Sequence, residues 1–106
     1  MNSTISIIIP VYNAKKIIDN CLEALNGQIS NDFEVVFVDD CSKDDSCDYI
    51  EKWFNKRKSR IFYNIVKNKK NLGPGLTRNV GIKNAKSKSY FNILKSILLN
   101  NSSLIL

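Results

Sequence analysis

Residues 35–38, Val-Val-Phe-Val, form a short run of β-branched and aromatic side chains that stops at two adjacent carboxylates, Asp39 and Asp40. A continuous apolar run of this length, with no polar alternation, is the pattern of a strand buried on both faces, as in a parallel sheet covered by helices. In an open α/β sheet, ligands bind just beyond the carboxyl ends of the strands. The acid pair therefore either lines such a crevice or simply terminates a strand and opens a helix. Ser42 with Asp45 three residues on has the form of a capping box, and acidic residues gather where the first helical turn would lie.

With 106 residues, 43% of them apolar, the chain can build one small core. Lys and Arg number 16 against 10 Asp and Glu, a balance that suits an anionic partner without specifying a fold. The three cysteines, Cys21, Cys41 and Cys47, have no disulfide-framework spacing and follow no secretory signal. They read as reduced thiols of a cytoplasmic protein. No histidine occurs, so an imidazole base is excluded and a structural zinc site is not expected. No apolar run reaches the roughly 18 to 20 residues of a membrane helix.

In chain order, residues 4–9 read as a buried strand ended by Pro10, which cannot donate to a ladder. Asn13 is a favourable N-cap for a helix from Ala14, whose apolar face would be Ile17, Ile18, Cys21, Leu22 and Leu25 up to Gly27. The strand at 33–39 follows, then a helix through Ile50, Trp53 and Phe54. Strand, helix and strand joined by short connections predict parallel strands with a right-handed crossover.

Eight cations between Lys52 and Lys70 surround a strand candidate at 61–66. They lack the aromatic or helix-turn-helix pattern of a specific nucleic-acid binder, so a solvated basic rim is the expectation. In the segment 71–81, Gly73 and Gly75 open like a dinucleotide fingerprint, but Arg78 stands where the third glycine belongs. No Gly-Lys-Ser or Gly-Lys-Thr occurs either, so a Walker loop is also absent. The glycines instead permit a tight entry into a helix over about 76–85, with Arg78 and Asn79 in its first turns.

Three separated segments, Ser6-Ile-Ile-Ile-Pro10-Val11-Tyr12-Asn13, Val38-Asp39-Asp40 with Ser42 and Asp45, and Asn71, Gly73 and Arg78-Asn79-x-Gly81, together resemble the amino-terminal half of a family 2 glycosyltransferase of GT-A fold. The resemblance implies an incomplete α/β domain, Rossmann-like, three-layered and built on a mostly parallel sheet. It also implies a nucleotide-diphosphate sugar, usually a uridine diphosphate sugar, as ligand. By this resemblance Pro10, Val11, Tyr12 and Asn13 lie against the nucleotide, Tyr12 offering a ring edge or face to the base. Asp39 accepts the imide N–H of uracil, a task suited to a group that only accepts. Asp40 and Ser42 shape the loop or reach the ribose. Arg78 meets the diphosphate or orders the acidic loop through an ion pair.

The pattern is lost near residue 94. Relatives continue from the strand beginning at Tyr90 into an Asp-x-Asp motif that holds Mg or Mn, but here Lys95-Ser96-Ile97-Leu98 occupies that place. A lysine does not ligate these ions, so no metal is expected in this chain and a divalent cation only in a full-length relative. The expectation is a truncated glycosyltransferase, 1–94 a partial domain and 95–106 a poorly ordered tail, without transfer activity alone. The alternatives are a non-catalytic nucleotide-sugar-binding subunit or, less favoured, a nucleic-acid binder. Expected partners are the nucleotide sugar, a polysaccharide, lipid or protein acceptor at the inner face of a membrane, and a second copy through the sheet edge after Leu94.

Overall fold

The computed structural model describes residues 5–28, 32–87 and 90–92. Strands and helices alternate as β1 (Ile5–Val11), α1 (Asp19–Asn26), β2 (Phe33–Asp39), α2 (Ser46–Arg57), β3 (Phe62–Lys67), α3 (Pro74–Asn84) and β4 (Tyr90–Asn92). The sheet order is β3-β2-β1-β4, and every neighbouring pair is parallel. The expected tail at 95–106 and the sheet edge after Leu94 lie outside the described residues.

All seven residues of β2 are buried, so its continuous apolar run feeds both faces. Val35 and Phe37, with Ile7, Ile9 and Val11 of β1, pack under α1 and α2 against Leu22, Leu25, Ile50, Trp53 and Phe54. Ile8, Val36 and Val38 form the opposite face, covered by Val80, Ile82 and Ala85 of the third crossover. This gives three layers, with two helices on one side and α3 on the other. Burying each large apolar side chain contributes about 1.5–3 kcal/mol, so the two-sided β2 is the main organiser of the core. Gly81 brings α3 close to the sheet: a Cβ there would stand 2.4 Å from Ile8 Cγ2 and 3.1 Å from Val38 Cγ2.

Four element boundaries differ from expectation. β1 runs through Pro10 to Val11, pairing Pro10 with Val38. The Val11 carbonyl accepts from Asp40 N–H at 2.8 Å; alternation along the strand turns the donor-less side of Pro10 away from β2, so no bond of that ladder is lost. α1 starts at Asp19 rather than Ala14, after a single turn in which Ile17 and Ile18 N–H both donate to the Ala14 carbonyl. Ile17 is consequently 41% exposed instead of lining the apolar face. α2 begins at Ser46, so Ser42 and Asp45 do not make the expected capping box, and neither N-cap residue, Ile18 or Asp45, caps its helix through its side chain. α3 begins two residues early because Pro74 suits the first helical position, where no N–H is needed.

A buried carboxylate fixes the end of the third crossover. Glu34 of β2 accepts from the Ser6 hydroxyl at 2.6 Å, from Lys86 N–H at 2.6 Å and from Ser87 N–H at 3.2 Å. These donors satisfy an acid that burial alone would penalise.

Candidate functional site

Because β2 and β3 lie to one side of β1 and β4 to the other, the direction of winding reverses between β1 and β4. The carboxyl end of β1 opens at this reversal, the place where an open α/β sheet leaves a crevice. Val11 and Asp39 are register partners, so the loops after β1 and β2 emerge side by side. They are stitched together by hydrogen bonds that no local pattern predicts. Asn13 N–H donates to Ser42 Oγ at 2.9 Å, Lys43 N–H to Asn13 Oδ1 at 2.7 Å, and Ala14 N–H to buried Ser46 Oγ at 3.0 Å. Lys15 N–H reaches Asp44 Oδ2, and the Lys15 ammonium pairs with Asp45 at 2.9 Å. The Ser46 N–H and hydroxyl both donate to Asp44 Oδ1. Asn13 adopts a left-handed φ of 49°, which Asn tolerates better than most residues, and its side chain joins the loops instead of capping α1.

The two aspartates occupy different environments. Asp40 is enclosed by donors: Leu72 N–H at 2.7 Å and Asn68 Nδ2 at 3.0 Å reach Oδ1, and Gly73 N–H at 3.0 Å reaches Oδ2. Burial raises its pKa, but those bonds, with the Thr77 hydroxyl, outweigh it and hold the carboxyl below its ordinary value. Asn68 also donates to Thr77 Oγ1, a fully buried hydroxyl in the first turn of α3. Asp40 thus anchors the entry to α3, as Glu34 anchors its exit.

Asp39 is 7% exposed, with Ser42 N–H donating to Oδ2 at 3.2 Å. Its Oδ1 is buried and has no hydrogen-bond partner. An orphaned buried acceptor costs about 1–3 kcal/mol and is retained where another requirement holds it. Cys47 faces this carboxylate; burial first, then the negative charge of Asp39, pushes its thiol up to about 11. Arg78 in the second turn of α3 is half-buried, its Nε also buried without a partner. Neither ion pair among the described residues involves it. Tyr12 is 49% exposed beside these loops, whereas Val11 is 1% exposed and its side chain belongs to the core.

The site residues named from sequence therefore divide by environment. Tyr12 is accessible, Asp39 and Arg78 each hold an unused polar atom, half-buried Pro10 and buried Val11 belong to β1, and Asn13, Asp40 and Ser42 are engaged within the protein. Asn68, Thr77, Asp44 and Ser46 escaped the sequence reading, because their partners lie on other loops. Among the described residues no group of three Cys, Asp or Glu stands where it could share a metal ion. Asp40, the nearest carboxylate to Asp39 in sequence, already binds three donors. The described residues do not fit the divalent ion of the resemblance.

A parallel sheet of this order with helices on both faces is a doubly wound α/β sheet, and solved relatives match it as the amino-terminal portion of a GT-A domain. Residues 1–349 of S. aureus TarS in complex with UDP-GlcNAc superpose with a TM-score of 0.76 at 35% identity, over 85% of this chain and 26% of that one. The chain belongs to glycosyl transferase family 2, whose sequence profile matches residues 6–94. It is 40% identical over 86 residues to the poly(ribitol-phosphate) beta-glucosyltransferase of Bacillus spizizenii, covering 79% of this chain and 13% of that protein. The mannosyltransferase PcManGT of Pyrobaculum calidifontis, solved with GDP-Man and Mn2+, shares the fold at a TM-score of 0.73 and 22% identity, over 81% of this chain and 25% of that one. The chain spans about a quarter or less of the length of these relatives.

Proposed function

We propose that this chain supplies the uridine-binding floor of a sugar-nucleotide donor site, for glycosyl transfer to a surface polymer, lipid or protein. The observation that carries the reading is Asp39, a buried carboxylate at the end of β2 with one oxygen unused. That oxygen would accept the imide N–H of uracil, a charge-assisted bond that cytosine, with no such donor, cannot make. Tyr12, exposed at the same crevice, would lie against the base. Arg78 would neutralise diphosphate charge with a guanidinium whose Nε has no partner within the protein. The relatives' names support this ligand class: one structure holds UDP-GlcNAc, and others act on poly(ribitol-phosphate). In the complete reaction an acceptor hydroxyl displaces the nucleotide diphosphate in line at the sugar carbon.

We further propose that the chain alone binds nucleotide without transferring sugar, since Lys95-Ser96-Ile97-Leu98 stands where the family places metal-binding acids. The same observation favours the second reading, a binding subunit that acts with another chain. Calorimetric titration with UDP and CDP tests the proposal. UDP is expected to bind more tightly than CDP, and Asp39→Ala to erase the difference by weakening UDP about 10- to 100-fold, the range for a hydrogen bond to a charged group. Equal affinities for UDP and CDP in the parent chain would overturn it.

A further inference from the structure

On the side away from the crevice the sheet ends in an open edge. β3 is terminal in the strand order, and its backbone alternates between β2 and the outside. Asn68 N–H donates to the Asp39 carbonyl at 2.8 Å, so by alternation Asn64 and Val66 face β2, while Tyr63, Ile65 and Lys67 turn their N–H and C=O outward. Such an edge pairs with another strand unless charges or bulges guard it. Within β3 only Lys67, its last residue, is charged.

The side chains beside this edge are mostly apolar. Phe62, Asn64 and Val66 are register partners of Glu34, Val36 and Val38 and so stand on the α3 face, where Phe62 is 53% exposed and Val66 half-buried. α3 runs against the strands in a right-handed crossover. With Gly81 seated on Ile8 and Val38, that sense turns Leu76 and Val80 toward β3 and Arg78 toward β1. Leu76 is 56% exposed, and with Leu72 and Val80 it lines an open cavity of about 370 Å³. On the other face of the strand, half-buried Tyr63 and Ile65 pack against the core.

The order of these side chains decides what covers them. In an antiparallel pair centred on Asn64, Phe62 falls opposite Val66, Tyr63 opposite Ile65 and Asn64 opposite itself, each pair sharing one face. The outward groups of Tyr63 and Ile65 then exchange hydrogen bonds, and Phe62 meets Val66 at the closer, non-hydrogen-bonded spacing. Arg60 falls opposite Asn68 and Lys67 opposite Ile61, so no cations meet. Moving the centre to Tyr63 or Ile65 sets Phe62 against Asn64 or Asn68 and loses both aromatic contacts. We propose that two copies of this chain pair through β3 about a two-fold axis at Asn64, joining their sheets and enclosing Phe62, Val66 and Leu76 between the two α3 helices. A strand that complements itself selects a second copy over an unrelated chain, and such an isologous contact closes at two. The pairing lies away from the crevice at β1 and β4 and stands independently of the nucleotide reading.

Sedimentation equilibrium of the full chain over a range of concentrations tests this. A monomer–dimer equilibrium is expected, tighter at higher salt because each copy carries a net charge of +6. Asn64 is exposed, so its variants keep the fold, which Trp53 fluorescence checks. Asn64→Lys and Asn64→Asp should each weaken pairing on the order of tenfold, by opposing like charges across the axis and removing the bonds between the two carboxamides. Mixed together, the two variants should pair at least as well as the parent. The same two changes at Asn55, exposed on α2, should alter nothing, alone or mixed. Phe62→Ser should weaken pairing severalfold. A chain that stays monomeric at every concentration reached would overturn the proposal. A mixture of the Asn64 variants that associates no better than either alone would overturn it too, because residue 64 would then not meet its own copy.

Discussion

Two glycines of α3 are expected to respond to the same substitution with opposite signs. In a helix, Gly→Ala ordinarily stabilises by up to about 1 kcal/mol through propensity and loss of unfolded-state freedom. A Cβ on Gly75 meets nothing within 4 Å, so Gly75→Ala should gain about 0.5 kcal/mol, less than an interior position because it lies in the first turn. A Cβ on Gly81 would sit 2.4 Å from Ile8 Cγ2, roughly 1 to 1.5 Å inside a comfortable carbon contact. Ile8 is fully buried and Val38, the other neighbour, is too, so the strands cannot yield and the helix must lift. Overpacking of this kind costs up to about 3 kcal/mol. Subtracting the propensity gain leaves Gly81→Ala less stable by about 2 kcal/mol, a fall in Tm on the order of 10 °C for a domain of this size. Urea unfolding followed by Trp53, the single tryptophan and 5% exposed, reads both variants. A Gly81→Ala chain as stable as its parent would refute the close seating of α3 on β1 and β2.

Other expectations follow from the same geometry. Hydrogen bonds depress the Asp40 pKa in the folded chain, so its contribution to stability is full above the unfolded carboxyl value, about 3.9, and is lost as pH falls through the lower native one. Asp40→Asn should therefore destabilise the chain at neutral pH and flatten this part of the acid limb, as measured by urea midpoints between pH 2 and 6. Lys58 closes α2 in a left-handed conformation, φ 50°, with Ser59 N–H bonded to the Phe54 carbonyl and Lys58 N–H to that of Asn55; Lys58→Gly should stabilise the chain by about 1 kcal/mol in the same assay. Burial pushes the Cys21 thiol up to about 12 and the Cys47 thiol to about 11. Alkylation at pH 8 read by mass spectrometry should therefore modify half-buried Cys41 first and the other two only on unfolding.

How much of this was legible depended on whether the cause was local. β2 could be read because a strand buried on both faces needs an uninterrupted apolar run, and Val35 to Val38 supplies one. The layered α/β order followed from it, as did the neighbouring positions of the loops after β1 and β2. The starts of α1 and α2 differ from expectation for a common reason: Asn13, Ser42 and Ser46, good caps by type, are spent joining loops about 30 residues apart. Pro10 looks like a strand end because its missing N–H is visible in sequence, whereas the side of the strand it faces is not. Asp39 and Asp40 look equivalent in the chain, yet one is saturated by donors from a loop 32 residues on and the other keeps a bare oxygen. That difference arises only when β3 and α3 close over the site.

Glu34 on the second strand and Asp40 just past its end, six residues apart, grip the crossover at Lys86 and Gly73. Six strand residues span about 20 Å at roughly 3.3 Å each; the ten helical steps from Pro74 to Asn84 span about 15 Å at a rise of roughly 1.5 Å, and non-helical Gly73 and extended Ala85 make up the remainder. The strand is a gauge against which the helix is cut to length. A helix one turn longer or shorter would have to release one carboxylate to keep the other, so length changes in this crossover are expected to fall outside the two grips.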